Sequence, residues 1–313
     1  MTRRAAVLWV LQILLAAAVI GFLGRTLSRH WEEFRSLEIP IRLDARWIAL
    51  AGVIVLLTYA VLVAAWKLVI TGWGERLGYR RAAWIWTISN LGRYLPGKIW
   101  SVAGLALLAQ REGVASWAAV GAAVAMQAVA LGSGVAVVAA SAPGAVSAVS
   151  LAVAAVVAAA TIVSLVSPAV VAAIAKVTGR DGLRPLPVAA VAVAGAAMTA
   201  AWIGYGLAFW ALARGTLGPT DLGVGAATGV FAAGYLIGLL ALFAPGGLGV
   251  REAVLVALLT PAVGSGGAIV LSVASRVLLT VTEGVAALAG LTLGGRTARS
   301  RPEAGRSGAP PAG

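Results

Sequence analysis

Long uninterrupted runs of hydrophobic residues recur along the chain. A helix needs about 20 apolar residues to cross the roughly 30 Å of hydrocarbon in a bilayer. Six stretches meet this requirement, at about 5–24, 46–71, 115–140, 146–175, 187–213 and 265–293. The first follows Thr2, Arg3 and Arg4 and is long enough to be a signal anchor that stays in the mature protein. The pattern therefore predicts six membrane-spanning helices.

Two further apolar stretches, at about 82–109 and 223–260, are interrupted near the middle by helix-breaking residues. Each interruption contains a Pro-Gly pair, which begins at Pro96 in the first stretch and at Pro245 in the second. Proline removes a backbone donor and glycine readily adopts positive φ, so each pair is expected to end one half-helix and begin another. Each stretch is therefore predicted to be a helix–break–helix element, which either re-enters the membrane as a helical hairpin or crosses it.

The order of these elements repeats along the chain as two spans, a broken element and a span, followed by the same again. The starts at 5, 46 and 115 match those at 146, 187 and 265 with offsets of 141, 141 and 150, and Pro96 precedes Pro245 by 149. We expect two repeats, about 5–140 and 146–295, in one all-α transmembrane domain of residues 1–295. Residues 296–313 are rich in Arg, Pro, Gly and Ser and are predicted to form a disordered basic tail.

Basic residues indicate how the repeats are oriented, because cytoplasmic loops carry an excess of Lys and Arg. If the broken elements re-enter and the N-terminus is cytoplasmic, the inside holds thirteen basic residues: Arg3, Arg4, Arg76, Arg80, Arg81, Arg111, Lys176, Arg180, Arg184, Arg296, Arg299, Arg301 and Arg306. The outside then holds six: Arg25, Arg29, Arg35, Arg42, Arg46 and Arg214. If the broken elements cross instead, the counts are ten inside and nine outside. We therefore predict inverted repeats with both termini on the cytoplasmic side of the cell membrane.

Composition agrees with a membrane protein and excludes several kinds of chemistry. Of the 313 residues 61% are hydrophobic and 11% are charged, against roughly 25% charged in soluble domains. The net charge of +13 indicates contact with anionic lipid head groups rather than nucleic acid in this context. The chain has no cysteine, one histidine, His30, and three aspartates, which lie between the apolar stretches. Thiolate chemistry, a histidine metal cluster and a Ser-His-Asp triad are unsupported, and we expect no metal and no cofactor.

Charged residues in the apolar segments are candidates for function, because a charge in hydrocarbon costs about 2.5–3.5 kcal/mol. Arg93 and Lys98 flank the first break, where helix ends leave free amides and carbonyls. Either they contact a phosphate, or Arg93 caps the helix and Lys98 reaches the interface. Asn90 is either a ligand or a hydrogen-bond donor at the helix end.

Glycines in the second break, Gly246, Gly247 and Gly249, are predicted to present backbone amides as an anion-binding nest at the start of a helix. Arg251 adds a positive charge in the first turn. Glu252 beside it is favourable there for the helix dipole. In the alternative interpretation, the glycines only allow helices to pack closely.

The last span places Arg276, Thr280 and Glu283 on one face of the helix. Arg276 and Glu283 are about 10 Å apart along the axis, too far for a direct pair, so each is expected to have another partner. Gln127 in the third span should lie at a depth comparable to that of Arg276. Glu283 is either a proton-coupling residue or the neutralising partner of one of the arginines named above.

At these residues the chain resembles the transmembrane region of lysylphosphatidylglycerol synthases. The matching motifs are RYLPGK at 93–98, PGGLGVRE at 245–252 and SRVL at 275–278, and the resemblance covers roughly residues 5–293. It implies movement of a lipid with a charged head group between leaflets. About 20 residues follow the last predicted span. We therefore do not expect the soluble aminoacyl transferase that is fused to some members, or lipid synthesis.

Together these features predict a flippase-like protein for an anionic phospholipid or polyprenyl-phosphate lipid, without enzymatic activity. The predicted head-group ligands are Arg93, Lys98, Gly246, Gly247, Gly249, Arg251 and Arg276; the supporting polar residues are Asn90, Gln127 and Thr280; the coupling or charge partners are Glu252 and Glu283. Two alternatives remain. One is a membrane enzyme acting on a lipid phosphate, which would depend on Glu252 or Glu283 alone. The other is a non-transporting membrane partner of a separately encoded aminoacyl or glycosyl transferase.

Overall fold

The computed structural model describes residues 42–94, 99–141, 148–178, 185–241, 247 and 249–298, and this part of the chain is helical with no strand. The helices are α1 (Ala45–Gly72), α2 (Tyr79–Asn90), α3 (Ile99–Arg111), α4 (Ser116–Ser141), α5 (Ala148–Val166), α6 (Pro168–Thr178), α7 (Val188–Leu217), α8 (Val224–Leu240) and α9 (Val250–Ala298), with a 3₁₀ turn at Leu91–Tyr94. The first predicted span, Lys98, Gly246 and most of the predicted tail lie outside the described residues.

Four of the described helices are long and apolar enough to cross a membrane: α1, α4, α7 and the segment Val250–Thr292 of α9. The first three coincide with the predicted spans at 46–71, 115–140 and 187–213, and the fourth covers residues 265–292 of the predicted span at 265–293. The protein is therefore a multi-pass helical membrane protein.

One predicted span differs from the observed helices, and one predicted boundary agrees with them. The stretch 146–175 is not one helix, because α5 ends at Val166 and α6 begins at Pro168. Proline has no amide hydrogen and disfavours the α conformation in the residue before it, which accounts for the interruption at Ser167. The last span begins where the sequence predicts it, because α9 consists of two helices that meet at the non-helical Gly264 (φ 71°, ψ 165°), directly before residue 265, and the second of them continues to Ala298. We call residues 250–263 its first arm and residues 265–298 its second arm.

The two halves of the first predicted hairpin fold back on each other. A Cβ added to Gly104 would lie 3.7 Å from the Cα of Ser89, and one added to Gly92 would lie 2.6 Å from the amide nitrogen of Ser101. As the residue number rises along α2, the number of its contact on α3 falls, so the helices are antiparallel. The midpoint of these contacts falls between residues 96 and 97, which is the Pro-Gly pair.

The second predicted hairpin has the same arrangement. Gly234 of α8 packs on Leu255, and Gly238 packs on Arg251, so α8 and the first arm of α9 are also antiparallel. Both interfaces depend on glycine, because a side chain at Gly234 would approach Leu255 within 2.9 Å. Small residues let helix backbones approach closely in membranes.

The centre of the structure is the interface between α1 and α7. Gly72 lies against Ala190, Gly204 against Thr58, and Gly215 against Ile48. As the residue number rises along α1, the number of the contacting residue on α7 falls. These helices are therefore antiparallel along nearly their whole length.

Each hairpin packs against the last long helix of the other half of the chain. In α2, Thr87 contacts Gly290 in the second arm of α9, and in α8, Gly229 contacts Ser141 near the end of α4. Each half of the chain therefore completes the surroundings of the hairpin that belongs to the other half.

Gly206 tests the close packing of α7 on α8. We expect Gly206→Ala to lower the thermal unfolding temperature in detergent, because its Cβ would lie 2.5 Å from the Cα of Thr228. Overpacking of this kind costs about 1–3 kcal/mol. The control is Gly195→Ala on the same helix, where a Cβ meets nothing within 4 Å. Equal unfolding temperatures for the two variants would contradict the interface.

Candidate functional site

A cavity of about 200 Å³ lies among α1, α2, α3, α4, α7 and α8. Its wall therefore combines the first hairpin with helices from both halves of the chain. Pockets that enclose drug-sized ligands have volumes of about 300–1,000 Å³. This cavity is smaller and suits a polar head group rather than a whole lipid.

Six aromatic side chains line much of this cavity: Tyr59, Trp66, Trp86, Trp202, Tyr205 and Tyr235. The ring of Tyr59 lies 5.8 Å from that of Trp86 and 6.3 Å from that of Tyr205. The sequence analysis did not identify this cluster. A signal was present, because Tyr59, Trp202 and Tyr205 lie near the middle of long apolar helices, whereas interfacial aromatic residues lie near helix ends.

Arg93 is the one cation that lines the cavity among the described residues. Its Nη1 lies 2.7 Å from Oε1 of Glu283 in the second arm of α9, and its Nη2 donates to Oδ1 of Asn90 at 3.0 Å. The Tyr59 hydroxyl lies 3.5 Å from the same oxygen of Glu283. The sequence analysis left the role of Glu283 open, and its neutralising partner is Arg93. Asn90 accepts this hydrogen bond rather than donating it.

Gln127 of α4 also lines the cavity. Its Nε2 atom is buried and has no hydrogen-bond partner among the residues that the structure describes. An amide donor left unpaired in an apolar interior costs about 1–3 kcal/mol. The cavity therefore contains a donor suited to an acceptor group supplied by a ligand.

Arg251 lies in the second hairpin and is only 9% exposed. Its guanidinium carbon is 5.0 Å from the ring centroid of Phe231, a cation–π contact. Within the described part of the chain, its buried Nε and Nη2 atoms have no hydrogen-bond partner. Arg251 is therefore a buried cation with uncommitted donors, although it does not line the cavity.

The amide of Gly249 is not open as the predicted nest requires. It donates to Oε2 of Glu252 at 2.8 Å, while Oε1 of Glu252 accepts from Nη1 of Arg276 at 2.9 Å. This side chain reaches back to satisfy an amide that the start of a helix leaves free. Glu252 therefore contacts both the start of its own helix and Arg276. The sequence predicted that Arg276 has a partner other than Glu283, and that partner is Glu252.

Gly247 is buried at φ 70°, and a Cβ there would lie 3.0 Å from the carbonyl oxygen of Gly238. The alternative that the glycines allow close packing therefore applies to Gly247. Thr280 is exposed, and neither it nor Arg276 lines the cavity. The structure thus brings Asn90, Arg93 and Gln127 to one cavity, and Glu283 pairs with Arg93.

Comparison of the sequence with known families gives a match. A family model described as "Lysylphosphatidylglycerol synthase TM region" matches residues 9–286. The chain belongs to this family. The match confirms the resemblance drawn from the sequence motifs and includes both hairpins and every residue that lines the cavity. No curated protein matches the chain. Family membership agrees with the apolar helices and indicates a role connected with membrane lipids.

The pair between Glu252 and Arg276 is testable by a double-mutant cycle on this family member. We expect Glu252→Gln and Arg276→Gln each to lower the unfolding temperature, because each leaves a partly buried charge without its partner. The double variant should lose less stability than the sum of the singles, with a coupling of about 0.5–3 kcal/mol. Thermal unfolding in detergent measures all four proteins, and additive effects would contradict the pair.

Proposed function

We propose that the protein moves a lipid with an anionic, phosphate-bearing head group between the leaflets of the membrane. The observation that carries this proposal is a small cavity inside a bundle of apolar helices, with the charged Arg93 in its wall beside Gln127, whose Nε2 has no partner among the described residues. Hydrocarbon tails form neither ion pairs nor hydrogen bonds with such side chains. A phosphate does, because its oxygens accept charge-assisted hydrogen bonds from arginine.

In this mechanism the head group passes through the cavity and the acyl chains stay in the bilayer. Arg93, Asn90 and Gln127 contact the head group from the first hairpin and from α4. Arg251 supplies a second cation from the second hairpin, where its Nε and Nη2 atoms are uncommitted. Movement of one half of the bundle against the other alternates access to the two leaflets.

The proposed topology has two inverted repeats, each with a re-entrant hairpin. The hairpin helices support it, because α2 and α3 have 12 and 13 residues, or about 18–20 Å of helix, against roughly 30 Å of hydrocarbon. The antiparallel contact of α1 with α7 also supports it. If α4 and the α5–α6 segment each cross once, α1 and α7 run in opposite directions only when the α2–α3 hairpin returns to the side it entered.

Matching contacts in the two halves support the repeat. Tyr59 pairs with Trp86 at 5.8 Å, and Trp202 pairs with Tyr235 at 5.3 Å. The offsets are 143 from residue 59 to 202 and 149 from residue 86 to 235, close to those of the helices. Across the halves, Tyr59 contacts Glu283, and Trp202 donates to Ser133, which precedes residue 283 by 150.

The topology is testable with single cysteines, because the chain has none of its own. Arg111→Cys and Lys176→Cys should both be protected from an impermeant thiol reagent in intact cells and labelled after the membrane is opened. A cysteine at Arg214 is the matched outside control and should be labelled in intact cells. Labelling of both inside positions from outside would contradict the re-entrant topology.

Transport is testable with purified protein in liposomes that contain a labelled lipid. The protein should move phosphatidylglycerol and should not move a neutral glycosyl diacylglycerol. Arg251→Gln should slow phosphatidylglycerol movement roughly tenfold, the effect of losing one charged hydrogen-bond donor. Arg80→Gln, at an exposed residue, is the control. Equal movement of both lipids, or no effect of Arg251→Gln, would contradict the proposal. Movement by the protein alone would also exclude a role limited to assisting a separate transferase.

A further inference from the structure

We propose that the head-group phosphate binds by displacing Glu283 from Arg93, which releases the tip of α2 from the second arm of α9. This inference rests on the proposed function and specifies its binding step. Arg93 is accessible to a ligand, since its side chain is 42% exposed, whereas that of Glu283 is 11% exposed. The carboxylate of Glu283 therefore lies on the buried side of the Arg93 guanidinium, and the cavity lies on its exposed side.

Charge balance requires an exchange of partners. The cavity holds one cation among the described residues, and Glu283 already neutralises it. Beside the intact pair, an anion in this low-dielectric interior would meet no net positive charge from the described residues that line the cavity. Replacing the carboxylate by a phosphate keeps Arg93 neutralised, and the Nε2 atom of Gln127 offers the phosphate a second donor.

Exchange of this pair also moves a structural contact. Arg93 and Glu283 connect the 3₁₀ turn at the tip of α2 to the second arm of α9. Two turns away, Thr87 packs on Gly290 of the same arm. Loss of the ion pair removes this contact at the tip of α2, while Thr87 stays packed on Gly290. The hydroxyl of Tyr59 remains beside the displaced carboxylate. Head-group binding and hairpin movement are therefore one event.

The exchange predicts opposite effects of one substitution on binding and transport. Glu283→Gln removes the competitor for Arg93, so the protein should bind glycerol phosphate about tenfold more tightly. The same variant should move phosphatidylglycerol more slowly. Without the carboxylate of Glu283, the ion pair that returns the tip of the hairpin to α9 cannot re-form after the lipid leaves. Binding is measured in nanodiscs by the fluorescence of Trp66, Trp86 and Trp202 in the cavity wall. Phosphatidylglycerol in the nanodisc should compete with the soluble probe.

A matched control exists on the same hairpin. Arg81 and Glu112 form an ion pair of 3.2 Å with exposures of 50% and 19%, and neither residue lines the cavity. Glu112→Gln should leave the affinity for glycerol phosphate unchanged. Glu283→Asp keeps the charge on a shorter side chain and should tighten binding less than Glu283→Gln, so it serves as the second variant if the first does not fold.

The outcomes separate the two proposals. If the wild type moves phosphatidylglycerol but neither Glu283 variant binds glycerol phosphate more tightly, the exchange is wrong and the transport proposal stands. If the wild type neither binds glycerol phosphate nor moves phosphatidylglycerol, the transport proposal itself is wrong. Binding of glycerol phosphate that phosphatidylglycerol does not compete with would assign the site to a free phosphate and overturn the lipid exchange.

Discussion

Close contact between helix backbones through glycine is the interaction on which the rest of this structure depends. Lipid tails are as apolar as leucine, so helices in a membrane gain little from burying apolar surface and must associate through van der Waals packing. Gly204 brings α7 against α1, Gly206 brings it against α8, and Gly92 brings the tip of the first hairpin against α3. Such contacts join α8 of the second hairpin to both α7 and α4, and they join α2 of the first hairpin to α9. The cavity exists because these short helices leave space beside the long ones.

Ionic contacts then distinguish two regions of otherwise similar design. In the first hairpin, Arg93 reaches across to Glu283 and lines the cavity. In the second, Glu252 pairs with Arg276 and also caps its own helix start, while Arg251 is buried against Phe231. The two regions are therefore not equivalent in chemistry. One has an exposed, neutralised arginine beside a cavity, and the other has a buried arginine with unpaired donors. A transport cycle in which a phosphate moves between Arg93 and Arg251 would use this difference.

Much of the architecture was accessible from periodic features of the sequence. Apolar runs predicted the helices α1, α4 and α7, and the Pro-Gly pairs predicted both antiparallel hairpins. The break before Pro168 was missed, because a single helix breaker in an apolar run does not change its hydrophobic pattern, whereas the start of the last span next to Gly264 was predicted. The open amides predicted at Gly247 and Gly249 depend on what lies opposite them. Gly249 is bonded to Glu252 and Gly247 packs on Gly238.

The sequence by itself determined that this is a membrane protein, which family it resembles, and which few charged residues lie in apolar surroundings. These conclusions follow from composition, local motifs and the cost of a charge in hydrocarbon, all of which act within short segments. Only the tertiary structure decided that Glu283 pairs with Arg93, that Gln127 lacks a partner, and that Tyr59, Trp202 and Tyr235 surround one cavity. Arg93 and Glu283 are 190 residues apart in the chain. Contacts of that separation depend on which helix faces meet, and helices that are apolar on every side carry no pattern that specifies the facing surface.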